Sequence, residues 1–229
     1  MGGFANNAPI VTDGLIFYVD AGNGNSYSGS GTDWANLSGS ATATLTNSPT
    51  YSSADGGYID FDGSNDHITT TYDGTGKIDI TLCVWLNIDN FSVSNGGNIF
   101  DQSTGATGFG VRTASGGTIE VFARNSDASS VNHLTSAYTG LSTHTWYYIC
   151  VKFETNSITT YLNGSVNATD SATLDTISVD SSNNMEIGGR NDTTNGHFNG
   201  SIALVQIYEK ALSNNEVLQN YNALKNRFI

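Results

Sequence analysis

Short runs of β-branched and aromatic residues, parted throughout by turn clusters of glycine, asparagine and aspartate, constrain this chain more than any other feature. Glycine adopts φ > 0 freely and Asn or Asp tolerates it, so each cluster reverses the backbone and holds the runs at strand length. The runs cover residues 15–20, 58–61, 80–86, 98–100, 109–112, 118–122, 146–153, 158–162, 185–189 and 201–208. Residues 80–86 are apolar on both faces and belong at the centre of a sheet. Those at 98–100, 109–112 and 118–122 alternate or nearly so, which predicts a meander of half-buried strands. In 146–153, Tyr147, Ile149, Val151 and Phe153 share one face. Asn163-Gly164 predicts a type I′ turn from 158–162 into Ser165-Val166. Residues 21–39 read as a long polar loop anchored by Trp34.

The period changes only near the C-terminus. Ser213 with Glu216 three residues on is a capping-box sequence, and Val217, Leu218, Tyr221 and Leu224 recur at helical spacing. A helix is predicted over 213–227, its apolar residues facing a partner surface, with 1–12 as an N-terminal arm. At 229 residues with 38% apolar content, 26 glycines and 2 prolines, the chain suits one β-rich core spanning 1–229. The expected class is all-β, a two-sheet antiparallel sandwich with a short C-terminal helix.

Charge narrows the partners. Eight basic residues stand against 21 acidic ones, a formal net charge of −13, so a phosphate backbone or an anionic membrane surface is repelled. Neither nucleic acid nor membrane is an expected partner. The acidic excess is spread along the chain, which reads as a soluble surface. The opening residues carry no basic and apolar signal pattern, and no apolar stretch reaches the roughly 18–20 residues that span a bilayer.

Several phrases resemble a known family in chain order: residues 13–21, 34–39, 61–68 and 146–149, Tyr161-Leu162-Asn163-Gly164, Ile187-Gly188-Gly189 and residues 200–213. They resemble the laminin-G-like, concanavalin A-like jelly-roll superfamily, which implies a jelly-roll sandwich. Residues 13–21 and 216–228 further resemble stand-alone laminin-G-like proteins of marine tailed bacteriophages. That likeness implies a non-enzymatic virion protein, a capsid decoration or a tail or fibre component, made in the host cytoplasm and released by lysis. Implied partners are other virion proteins, further copies of the chain among them, and host surface polysaccharide. A cellular or secreted glycan-binding module is the alternative.

The residues support binding over catalysis. Retaining glucanases of this fold need two carboxylates about 5–5.5 Å apart, usually from Glu-x-Asp-x-Glu on one strand. Here the glutamates, Glu120, Glu154, Glu186, Glu209 and Glu216, stand apart, and Asp60-Phe61-Asp62 lacks the required glutamates. His67, His133, His144 and His197 lie in separate segments and read as ordinary surface or turn residues. Calcium is the cofactor such loops would take, with Asp62, Asp66, Asn191 and Asp192 as candidate oxygen ligands, although nothing requires one. Compared with the related pentraxins, Arg190 stands where a glutamate ligand is expected, against a pentraxin-type double site. For Asp62 and Asp66, an Asx-rich turn capping its own backbone is the competing role. Tyr27, Tyr138 and Phe198 sit in polar stretches and are candidate sugar platforms or loop anchors. Cys83 and Cys150 lie mid-strand, and their likeness to the pentraxin disulfide pair implies that they are neighbours on adjacent strands, reduced or oxidised.

Overall fold

The computed structural model describes residues 8–93, 96–104, 107–124, 131–171, 174, 183–190 and 195–229. The turn clusters delimit strands β1 (Leu15–Asp20), β2 (Ala43–Thr46), β3 (Thr50–Ser52), β4 (Tyr58–Asp62), β5 (His67–Thr70), β6 (Ile80–Ile88), β7 (Asn98–Thr104) and β8 (Thr107–Ala114). There follow β9 (Thr118–Arg124), β10 (Val131–Tyr138), β11 (Trp146–Glu154), β12 (Ser157–Leu162), β13 (Ser165–Asp170), β14 (Glu186–Ile187) and β15 (Asn199–Tyr208). The single α-helix among the described residues, α1 (Asn214–Leu224), closes the chain with a 3-10 turn at Lys225–Arg227.

The strands build two antiparallel sheets, the architecture expected. One is eight-stranded, in the order β13-β12-β11-β6-β15-β4-β3, with β1 continuing beside β15 where β4 ends. The other is seven-stranded, β10-β9-β8-β7-β14-β5-β2, and holds the predicted meander. β6 lies between β11 and β15 and is buried on both faces from Ile80 to Leu86. Its inward residues Ile80, Leu82, Val84 and Leu86 join Ile149, Val151 and Phe153 of β11 in the core between the sheets. Its outward residues Cys83 and Trp85 join Trp146, Tyr148 and Cys150 in a second cluster beneath α1. Alternation along β15 breaks at a bulge between Ile202 and Leu204, so Ala203 and Leu204 both belong to that outer cluster.

Helix α1 docks on this outer face. Ser213 and Glu216 form the capping box, and Trp85 stacks on Phe228 at 4.4 Å and on Tyr221 at 5.8 Å. The helical face differs from expectation at one position. Val217 is buried and Tyr221 and Leu224 pack against the cluster, but Leu218 is 41% exposed and Asn220 is fully buried instead. The sheet and the N-terminal arm present polar groups there, which a side chain carrying both a donor and an acceptor satisfies. Asn220 Oδ1 accepts from Val11 N–H at 2.8 Å and its amide donates to the Tyr208 hydroxyl at 2.9 Å, while that hydroxyl donates to the Val11 carbonyl at 3.0 Å.

The Asn163-Gly164 turn carries φ of 50° and 80°, as a type I′ turn requires, and a Cβ on Gly164 would press on Tyr221 at 3.0 Å. Cys83 and Cys150 are directly opposite on β6 and β11, 4.1 Å apart at Cα, fully buried and disulfide-bonded.

Candidate functional site

The seven-stranded sheet turns Ile68, Phe109, Val111, Ile119, Val121 and Ile187 toward the core, so the residues alternating with them face away. On that outer side Arg112 of β8 lies directly opposite Glu120 of β9. Its Nε donates to Glu120 Oε2 at 2.9 Å and its Nη2 lies 2.9 Å from the same oxygen. Gly110, two residues earlier, has no side chain, and a Cβ there would lie 2.6 Å from the Phe122 ring. The missing Cβ lets Phe122 lean across β8, where the Arg112 guanidinium sits 5.6 Å from the ring centroid.

Arg112 and Glu120 form one wall of an open groove of about 590 Å³, shared with Phe91, Ser92, Ser115 and Arg190. Arg190 Nε lies 4.0 Å from Asp101 Oδ1, and that oxygen also accepts the Ser103 N–H and hydroxyl, each at 2.9 Å. Asp101 of β7 is in turn directly opposite Glu186 of β14, whose Oε1 lies 3.9 Å from His67 Nε2. The outer face thus carries two guanidinium–carboxylate pairs, Arg112 with Glu120 and Arg190 with Asp101, beside the Glu186 carboxylate and the His67 ring. Chemically it offers guanidinium donors and carboxylate acceptors side by side, suited to hydrogen-bonding a polar ligand.

None of these groove residues stood out in the sequence as a candidate. The signal for Arg112 and Glu120 was present, because a tight turn at Gly116-Gly117 places residues 112 and 120 opposite one another. Asp101 and Glu186 meet only through long-range pairing, which local patterning does not show.

The sequence candidates fall elsewhere. Tyr27, Tyr138 and Phe198 are corrected as sugar platforms, since each is buried and its ring face is spent on protein. Tyr27 packs on Tyr51 at 5.3 Å and donates to the Gly31 carbonyl at 2.8 Å, anchoring the long loop. Tyr138 donates to the Cys150 carbonyl at 2.8 Å, and burial pushes its hydroxyl well above the ordinary range. Phe198 meets Phe61 edge-on at 6.2 Å. Asp62 Oδ1 accepts from the Ser64 and Asn65 N–H groups at 2.7 and 3.4 Å, and the Ser64 bond chiefly holds its carboxyl below the usual value. Asp66 Oδ2 accepts the Asp62 N–H at 3.2 Å, while burial raises its carboxyl. Both aspartates therefore cap their own turn, and among the described residues no group of three or more His, Cys, Asp or Glu side chains could hold a metal ion. Asn191 and Asp192 lie outside the described residues.

Asp60 Oδ1 accepts the Ser201 hydroxyl at 2.9 Å, and burial raises its carboxyl. Two histidines read separately in the sequence are brought together, the rings of His67 and His197 being 5.8 Å apart. Burial, then the His67 charge, pushes His197 below the ordinary imidazole value. His144 is exposed beside Asp89 at 3.0 Å, and the His133 side chain is outside the described residues.

A family model described as the concanavalin A-like lectin/glucanases superfamily matches residues 62–218. No curated protein sequence matches the chain. The fold is similar to the botulinum neurotoxin serotype D binding domain, with a TM-score of 0.70 and 16% identity over 91% of this chain and 51% of that one. It is also similar to the binding domain of Paraclostridial Mosquitocidal Protein 1, at 0.72 and 15% over 92% and 52%. Domain 4 of AbnA, an extracellular arabinanase from Geobacillus stearothermophilus solved with arabinotriose, aligns at 0.68 and 14% over 90% and 98%. The chain spans about half the length of the first two. At these identities the likeness concerns the fold.

Proposed function

Because the chain belongs to the concanavalin A-like lectin/glucanases superfamily, we propose that it is a non-enzymatic saccharide-binding module displayed on the virion of a tailed phage. The observation that carries binding is the groove over the seven-stranded sheet, where Arg112 and Glu120 remain partly open at 31% and 18% side-chain exposure. The sugar-bound arabinanase domain and the toxin binding domains of similar fold support the same class. Against turnover stand the ion pairs that occupy Glu120, Glu154, Glu209 and Glu216, and the absence of a strand with paired glutamates among the described residues. Binding needs no metal in this reading, since Asp62 and Asp66 satisfy their own turn.

The virion placement, as capsid decoration or as tail or fibre component, is supported by the phage-like phrases at 13–21 and 216–228. Other virion proteins, copies of the chain included, and host surface polysaccharide are the partners this implies. The alternative, a cellular or secreted glycan-binding module, is supported by the 98% coverage of the arabinanase domain. Proteomics of purified particles separates the two. The chain should be found in the particles, and its absence there with retained glycan binding would favour the module.

A further inference from the structure

We infer that the groove selects uncharged saccharides, reading adjacent hydroxyl groups through Arg112 and Glu120 acting as a donor and acceptor couple. The inference rests on the saccharide reading of the same groove. Both Arg112 donors converge on Oε2 of Glu120, so Oε1 keeps its capacity to accept and Nη1 its capacity to donate. A vicinal diol offers one oxygen to the guanidinium and one hydroxyl hydrogen to the carboxylate, and both charges remain paired. Ser92 and Ser115, exposed on the groove wall, add hydroxyls able to donate or accept. The Phe122 ring beneath the guanidinium and the fixed cross-strand register hold the couple in place before a ligand arrives.

An anionic sugar meets a different balance. Arg112 is matched by Glu120 and Arg190 by Asp101, so the two guanidinium charges of the groove are cancelled by two carboxylates. A uronate or sulfate group at Nη1 would bring a second negative charge beside Glu120 for the one Arg112 guanidinium to offset, whereas a hydroxyl there adds none. It would also approach a protein of formal net charge −13, which repels it before contact.

The test is a glycan microarray of neutral arabinan-, glucan-, mannan- and galactan-derived oligosaccharides beside uronate-containing and sulfated ones, with calorimetry on the strongest ligand. It compares the intact chain with Arg112→Gln, Glu120→Gln and Ser92→Trp, each checked for native circular dichroism. Binding should be confined to neutral sugars, and the first two variants should weaken it roughly ten- to a hundredfold, the worth of one charge-assisted hydrogen bond. Glu120→Gln, which frees Arg112 from its counter-charge, should also gain binding to uronate-containing sugars. Ser92→Trp fills the groove from a loop, so it reports on the site even where a change on the strands impairs folding. Groove-dependent binding of acidic sugars alone would overturn the selection and leave the saccharide reading standing. No binding at all, or binding indifferent to all three variants, would overturn both.

Discussion

Replacing Asn220 by alanine removes the side chain that joins the helix, the last strand of the large sheet and the N-terminal arm. The wild-type amide is fully buried, accepting from Val11 N–H at 2.8 Å and donating to Tyr208 at 2.9 Å. Each neutral hydrogen bond contributes about 0.5–1.5 kcal/mol, and a buried donor left without an acceptor costs about 1–3 kcal/mol more. Val11 is 7% exposed, so its N–H meets that condition once Asn220 is gone. The expected loss is roughly 2–6 kcal/mol, which for a chain of this size lowers Tm by roughly 4–24 °C. Urea unfolding should show a reduced midpoint with unchanged slope, since the same surface is exposed on unfolding. Tyr208→Phe removes the donor to the Val11 carbonyl at 3.0 Å, so the two changes share partners and should couple by about 0.5–3 kcal/mol in a double-mutant cycle. A stability within about 0.5 kcal/mol of wild type, or strict additivity with Tyr208→Phe, would refute the account of how arm and helix are joined.

Three further outcomes can be checked on the same unfolding apparatus. Gly200→Ala should destabilise by roughly 2–5 kcal/mol, because a Cβ at φ +146° would lie 2.2 Å from the Asn87 carbonyl oxygen; a variant as stable as wild type would contradict that close approach. Cys83→Ser with Cys150→Ser should lose about 2–4 kcal/mol by releasing a link that closes a sequence separation of 67, and equal midpoints for oxidised and double-serine proteins would refute it. Hydrogen bonds from Lys210, then from the Ser213 backbone, hold the Glu216 carboxyl at about 2 against an ordinary 4.5. Its contribution is therefore complete above pH 4.5 and is lost as pH falls through about 2. Glu216→Gln should flatten the acid limb of a stability profile measured across that window, and an unchanged limb would count against it.

Strands whose apolar residues alternate, or run unbroken, were legible because burial imposes a period of two or fills both faces, as in β6 and β11. The strands β2, β3 and β5 were not, being short and rich in Thr and Ser, with β2 and β5 paired to each other across some twenty intervening residues, and β10 was not, because polar residues interrupt its apolar ones. The capping box located the helix, yet helical spacing alone could not tell that Asn220 faces inward and Leu218 outward, since that depends on what the sheet presents. For Tyr27, Tyr138 and Phe198 polar neighbours suggested exposure, whereas tertiary packing drew the rings inside. The groove was the least legible part, because a charge pair on facing strands leaves no local pattern beyond the turn that aligns Arg112 with Glu120.

The disulfide lies beneath the C-terminal helix, among the buried cluster that includes Trp85, Tyr148 and Val217. A thiol or disulfide reacts only when a partner reaches the sulfur, and here access is governed by whether the helix is docked on the sheet. Until the helix settles, the sulfurs on the two strands are open to oxidant or reductant; afterwards they are shut in. The covalent state is thereby set by the redox conditions that prevail while the helix is undocked.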